Sequence, residues 1–245
     1  MTLPFVKSTI KTDFSQLNIL IYGFPKSGKS TLASHVKSNG KEPFFISTED
    51  GLGALEVFSH RIKTWVDFVK LKDYLVKNAD EVKNTYSNFV IDLISDLDLM
   101  LTNHICDKYK VATIGDMEYG RGYSLHGIEL TNTINDLFKI LPIVFLGHSE
   151  EKTINKENKD IKVQSPAMQK KTYNFVNGKV DMIGFIIPPS AKADKTLLTF
   201  RPSTTCIAGS RFSHMCEVDF QLDYKDMQGS VDNIINHFKT KGVKK

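Results

Sequence analysis

Nine consecutive residues, Gly23-Phe24-Pro25-Lys26-Ser27-Gly28-Lys29-Ser30-Thr31, constrain this chain more than any other stretch. They match G-x-x-x-x-G-K-[ST], a loop whose backbone N–H groups cradle phosphates. The flanks are what the motif requires. Ile19-Leu20-Ile21-Tyr22 before it is an apolar run of strand length, and Thr31 to Lys37 after it reads as a helix closed by Asn39-Gly40. A turn rich in Gly, Lys and Ser could carry the same letters by chance, and the flanking strand and helix make that reading the weaker one. Loop amides and the helix start point at an anion. Gly23 and Gly28 permit backbone shapes and close approaches that a Cβ obstructs. The expected binding set is Gly23, Pro25, Lys26, Ser27, Gly28, Lys29, Ser30 and Thr31. Lys29 is expected to reach the β/γ-phosphates of ATP and Ser30 to ligate Mg²⁺.

At 245 residues the chain suits a single α/β domain spanning 1–245, with its core at about 18–222. No apolar run approaches the ~20 residues of a membrane span, so no membrane association is expected. Cys106, Cys206 and Cys216 lack C-x-x-C spacing and read as reduced thiols of a cytoplasmic protein, not a zinc site or disulfide frame. The net charge of +4 is too small to identify a partner.

Apolar strand-like runs alternate with amphipathic stretches, the pattern of a mostly parallel sheet covered by helices on both faces. Strands are expected at Ile19–Tyr22, Pro43–Thr48, Phe89–Ile91 and Ile143–Gly147, and helices at Thr64–Lys77, Leu97–Tyr109 and Ile128–Ile140. His148 to Lys171 reads as a polar, lysine-rich loop. Late strands follow at Met182–Ile187, Thr196–Phe200, Cys206–Ala208 and Val218–Leu222. Ser230 is expected to cap a last helix, 230–239, ahead of a basic tail.

Asp92 ends the run Asn88-Phe89-Val90-Ile91, where open α/β sheets bind ligands, and fits the acidic residue that holds a Mg²⁺ shell. A strand-terminal turn would also accept an Asp. Hydrolysis needs a group to position water, and Leu93 occupies the place where many such ATPases carry Glu. Glu49 is the best substitute, with Asp50 and Asp96 as weaker choices. His148 could sense the γ-phosphate, and Arg201 or Arg211 could reach a neighbouring subunit's phosphates.

Together the loop, Thr48-Glu49-Asp50-Gly51, Asp92 without a following Glu, and Val144-Phe145-Leu146-Gly147-His148 resemble a RecA-like core. More closely, the chain looks like the phage-encoded AAA/RecA-like ATP-binding proteins, a minimal recombinase family linked to single-strand annealing. The resemblance spans about Asn18 to Leu222. It implies a parallel core sheet with late antiparallel strands, a catalytic glutamate at Glu49, and ATP bound between subunits of a homo-oligomer. Basic residues near Ala208-Gly209-Ser210-Arg211 would act in trans. His148 stands where RecA has glutamine.

Two segments follow the positions that contact DNA in such proteins. The first, Gly115 to Tyr123, offers Arg121 and Tyr123 as cation and stacking surface. The second offers Lys152, Lys156, Lys159, Lys162, Lys170 and Lys171, set against nearby acids that would equally suit a solvated loop. The leading expectation is a DNA-stimulated ATPase that binds single-stranded DNA in phage recombination or replication, in the host cytoplasm, with a single-strand-binding protein as a further candidate partner. The alternatives are a nucleoside or nucleotide kinase and a non-hydrolysing scaffold. The segment from Glu150 to Lys171 has no arginine and makes a poor kinase lid.

Overall fold

The computed structural model describes residues 9–156, 159–189 and 195–242, with the side chains of residues 156, 159, 241 and 242 excepted. Five apolar segments form the parallel centre of the sheet: β1 (Ile19–Gly23), β2 (Glu42–Ser47), β4 (Tyr86–Asp92), the start of β5 (Ile143–Lys156) and β7 (Met182–Ile187). Each carries a continuous apolar stretch without alternation, because both faces are covered. Leu20, Tyr22, Ile46, Ile91 and Phe145 pack one face against α2 (Trp65–Lys77), α4 (Ile94–Tyr109) and α5 (Arg121–Phe138). Ile19, Ile21, Phe45, Val90 and Leu146 pack the other against α1 (Lys29–Ser34) and α7 (Met227–Gly242).

With β3 (Phe58–Arg61), β8 (Thr196–Thr199) and β10 (Asp219–Leu222), the strand order is β10-β8-β7-β1-β5-β4-β2-β3. β8 and β10 are antiparallel, as is the short β9 (Gly209–Ser210) beside β7. The mostly parallel sheet with late antiparallel strands is the expected fold. One consequence of the order matters for chemistry: β5 lies between β1 and β4. The carboxyl ends of β1, β5, β4 and β2 therefore share one edge, with Gly23 level with His148 and Asp92 level with Ser47.

Several local expectations are corrected. The lysine-rich segment after His148 is not a loop. β5 continues to Lys156 and pairs with β6 (Lys159–Pro166), and α6 (Lys170–Lys179) follows. Only Ile154, Ile161 and Val163 give this hairpin apolar character, so its composition resembles a loop while its cross-strand pairing makes a ribbon. Gly115 to Tyr123 is likewise ordered into short 3₁₀ turns leading into α5, and a Cβ on Gly122 would lie 2.2 Å from the Ile114 carbonyl oxygen.

The last helix starts at Met227, not Ser230. The Ser230 hydroxyl accepts from Asp223 N and donates to the Asp226 carbonyl, stitching the first turn to the preceding one. Cys206 makes an isolated bridge to Gln164, and the paired strand begins at Gly209. The edge strand β3 and the short α3 (Ala79–Thr85) lacked an apolar signal: all four β3 residues are exposed, and Val82 is the buried residue of α3.

Two polar arrangements fasten the hairpin and the helix after it to the core, the first at Gln164 of β6 and the second at the start of α6. The Tyr22 hydroxyl lies 2.7 Å from the Ile207 carbonyl and 3.0 Å from that of Gln164. Asp98 on α4 sits 2.9 Å from His126 Nε2, and its carboxylate accepts from Thr172 Oγ1 at 2.5 Å and Gln169 N at 2.7 Å. Among the described residues, no helix is long and apolar enough to cross a membrane.

Candidate active site

The loop after β1 adopts the backbone its glycines permit. Lys26 and Gly28 take positive φ angles of 61° and 78°, and the Leu32 amide donates to the Gly28 carbonyl at 2.8 Å to start α1. A Cβ on Gly23 would lie 2.9 Å from Ser27 Oγ and 3.2 Å from Ile186 Cβ, so the close approach of the loop to β7 needs a residue without a side chain there. Ser27 Oγ is buried with no hydrogen-bond partner among the described residues. A buried orphan hydroxyl lining a turn of amides fits an incoming phosphate oxygen. The exposed Pro25 and Lys26 form the outer rim, and Thr31 lies in the first turn of α1.

Lys29 is 5% exposed. Its ammonium donates to the Phe24 carbonyl at 2.8 Å and to that of Gly23 at 3.2 Å. Burial draws its pKa below the ordinary lysine value, against the opposing pull of Asp92 and Glu49. It is a cation held on weak neutral acceptors, which an anionic ligand would replace.

Ser30 Oγ donates to Asp92 Oδ2 at 2.7 Å, joining the loop to the end of β4. Burial raises the Asp92 pKa, the Ser30 hydrogen bond and Lys29 lower it, and Glu49 and Asp96 raise it again. One hydroxyl and one carboxylate are hard oxygen donors of the kind Mg²⁺ takes from protein when phosphates and water supply the rest. Among the described residues, no group of three or more His, Cys, Asp or Glu could hold a metal without such help. The donors therefore fit Mg²⁺ carried in with a triphosphate.

Glu49, one residue beyond Thr48 at the end of β2, is half-exposed on the same edge. His148 Nε2 lies 3.9 Å from Glu49 Oε1, while His148 Nδ1 is buried without a hydrogen-bond partner among the described residues. Lys29, Ser30, Asp92, Glu49 and His148, separate in sequence, thus meet at one sheet edge.

Residues 15–212 match the family model described as an AAA domain. The chain belongs to the AAA domain family. Such a domain is a nucleotide-binding P-loop module of the ATPase class and generally takes ATP with Mg²⁺. The chain also resembles the SPbeta prophage-derived uncharacterized protein YorG of Bacillus subtilis (strain 168), at 29% identity over 136 residues. That match covers 54% of this chain and 41% of the relative.

The AAA domain has one site residue that sequence reading missed. Tyr224, in the turn between β10 and α7, donates from its hydroxyl to the Ser27 carbonyl at 3.0 Å, and a Cβ on Gly28 would meet its Cε1 at 2.4 Å. The two residues joined by that hydrogen bond stand 197 positions apart, and no motif links them.

Arg211 does not join the site in its own chain. It lies at the amino end of β7, where its guanidinium donates to the Gly178 carbonyl at 3.0 Å and sits 3.5 Å from Asp181. Arg201 is engaged with the carbonyls of Cys216 and Glu217.

The expected DNA contacts divide into two groups. Lys152 pairs with Glu150 at 2.7 Å and Lys162 with Glu151 at 2.8 Å, so each already has a carboxylate. The side chains of Lys156 and Lys159 lie outside the described residues, as does the tail beyond residue 242. Lys170 and Lys171 are exposed in the first turn of α6. Arg121 stacks 5.4 Å over the Tyr109 ring, with Tyr123 half-exposed nearby and Tyr119 fully exposed.

A cavity of about 730 Å³ lies elsewhere, between β3, α2 and α3, and is lined by none of the loop residues. Phosphate chemistry belongs to the loop because it needs convergent amides and a cation, not volume.

Proposed function

We propose that this AAA domain hydrolyses ATP and couples the reaction to single-stranded DNA in phage recombination or replication. The observation that carries the hydrolytic part is the 2.7 Å contact from Ser30 to Asp92 beneath the buried Lys29. Lys29 exchanges the carbonyls of Gly23 and Phe24 for β/γ-phosphate oxygens. Ser30 and Asp92 would hold Mg²⁺, whose charge would offset that of the transferred phosphoryl. Glu49 orients the attacking water, and His148 beside it reports the γ-phosphate to the strand that leads into the hairpin.

The DNA part rests on chemistry at two surfaces. Tyr119, Tyr123 and Arg121 present rings and a cation of the kind that stacks bases without reading sequence, and Lys170 and Lys171 offer uncovered charge. The prophage origin in the relative's name supports a phage setting. Copies assemble with ATP at their junction in this reading, and Arg211, at the amino end of β7, would have to leave the Gly178 carbonyl and Asp181 to serve a neighbour's phosphates. The paired strands from Ser149 to Pro166 are unlike an arginine-bearing lid and weigh against a kinase.

The deciding experiment measures ATP turnover with and without single-stranded DNA, alongside phosphate transfer to nucleosides. DNA-stimulated release of phosphate, abolished by Lys29→Ala, is expected. Nucleoside phosphorylation, or turnover indifferent to DNA, would overturn the reading.

A further inference from the structure

Glu49 poses a positional problem. Its carboxylate is half-exposed, and among the described residues it has no hydrogen bond and its nearest ionic neighbour is His148 at 3.9 Å. A group that orients water must be held to within about 0.5 Å. The order must come from the backbone that carries it.

That backbone is tied on both sides of the Thr48–Glu49 peptide. The Ser47 hydroxyl donates to the Glu49 carbonyl at 2.6 Å. The Thr48 amide donates to the Asp92 carbonyl at 2.7 Å. The Thr48 hydroxyl then accepts from the Leu93 amide at 3.0 Å and has one proton to give. Two oxygens compete for it: Asp96 Oδ2 at 2.8 Å and the Asp92 carbonyl at 3.2 Å. The carboxylate is nearer and charged, so it is the stronger acceptor. Asp96 is itself placed by the first turn of α4, shortly after Asp92.

We propose that Thr48 and Asp96 are positioning residues for Glu49: the Asp96–Thr48–Leu93 hydrogen-bond bridge locks the end of β2 to the end of β4. The bridge sets the separation between the water-orienting carboxylate and the Mg²⁺-holding Asp92. It acts through the main chain and touches neither nucleotide nor metal. The inference rests on Glu49 having the catalytic role given above.

The test compares Thr48→Val, which keeps shape but loses both hydrogen bonds, with Thr48→Ser, which keeps them. Steady-state turnover and ATP affinity are measured separately, with melting temperature as a check on folding. Thr48→Val is expected to lower kcat by about 10- to 100-fold, the scale of a 1 Å misplacement, with ATP affinity within about twofold. Thr48→Ser should restore kcat to within about threefold of wild type, and Thr48→Val added to Glu49→Gln should cost nothing more, because both act on one group. Unchanged kcat in Thr48→Val, or independent losses in the double variant, would overturn the proposal. Should Thr48→Val not fold, Asp96→Ala carries the same expectations. A wild-type chain with no more turnover than Lys29→Ala would instead defeat the hydrolytic reading, and the bridge would fall with it.

Discussion

Ser30 and Asp92 are held together by a 2.7 Å hydrogen bond although they stand 62 positions apart, Ser30 in the first turn of α1 and Asp92 at the end of β4, with β5 between β4 and the β1 strand that leads into α1. The same hydroxyl and carboxylate are the protein oxygens that would hold Mg²⁺. Asp92→Asn should therefore bind nucleotide without metal-dependent tightening and lose about a hundredfold in turnover, measured as phosphate release against Mg²⁺ concentration.

The same substitution has a stability signature. The Asp92 pKa is raised, chiefly by burial, so the folded chain binds more protons than the unfolded chain just above the ordinary carboxylate range. Stability contributed by this group then falls as pH rises through that window. Asp92→Asn should melt higher than wild type at neutral pH without nucleotide, and the difference should shrink on acidification into the carboxylate range. Thermal melts from about pH 4 to about pH 8 read this directly.

Lys29 gives the complementary case. Burial lowers its pKa, so the folded chain binds fewer protons than the unfolded chain below the ordinary lysine value, and its cost to stability is relieved as pH rises through that window. Lys29→Met should stabilise the nucleotide-free protein at neutral pH while removing its response to ATP. Wild type should gain about 2.7 kcal/mol at a ligand concentration one hundred times Kd. A lysine variant that gains as much would contradict the role assigned to the loop.

Gly28→Ala meets two obstacles, a φ of 78° and a Tyr224 ring atom 2.4 Å from the new methyl. The left-handed backbone alone costs about 1–2 kcal/mol. Adding Tyr224→Ala should recover the steric part of the loss and leave the backbone part, a partial rescue visible in denaturant midpoints.

Charge reversal separates the lysines. Lys152 and Lys162 already face Glu150 and Glu151, whereas Lys170 and Lys171 stand exposed at the start of α6. Reversing the α6 pair should weaken single-strand binding and reduce the slope of log K against log salt by about 0.7 for each phosphate no longer neutralised. Reversing Lys152 and Lys162 should change it less. Equal effects would place the hairpin on the DNA.

What could be read in the residue string and what could not follow one physical division. Strands buried on both faces, such as Ile19–Gly23 and Met182–Ile187, are legible because burial demands continuous apolar runs. Asp92, Glu49 and His148 are legible because each lies at or just beyond the end of such a run. Elements supported by pairing more than by burial, the hairpin after His148 and the edge strand β3, have no equivalent signature. The last helix begins at Met227, ahead of Ser230, whose hydroxyl bonds Asp223 N and the Asp226 carbonyl from within the helix. Tyr224 over Gly28 and the bridge from Thr48 to Asp96 are long-range contacts, which local pattern does not encode.

The uninterrupted run of β5 from Ile143 to Lys156 joins the histidine next to Glu49 directly to the paired hairpin. The extended chain beyond His148 reaches about 26 Å, so tilting the strand there by about 10° sweeps the far end through about 5 Å. A small displacement of the strand at His148 would thus be larger at the hairpin tip, beyond the point where Tyr22 and Ile207 hold Gln164.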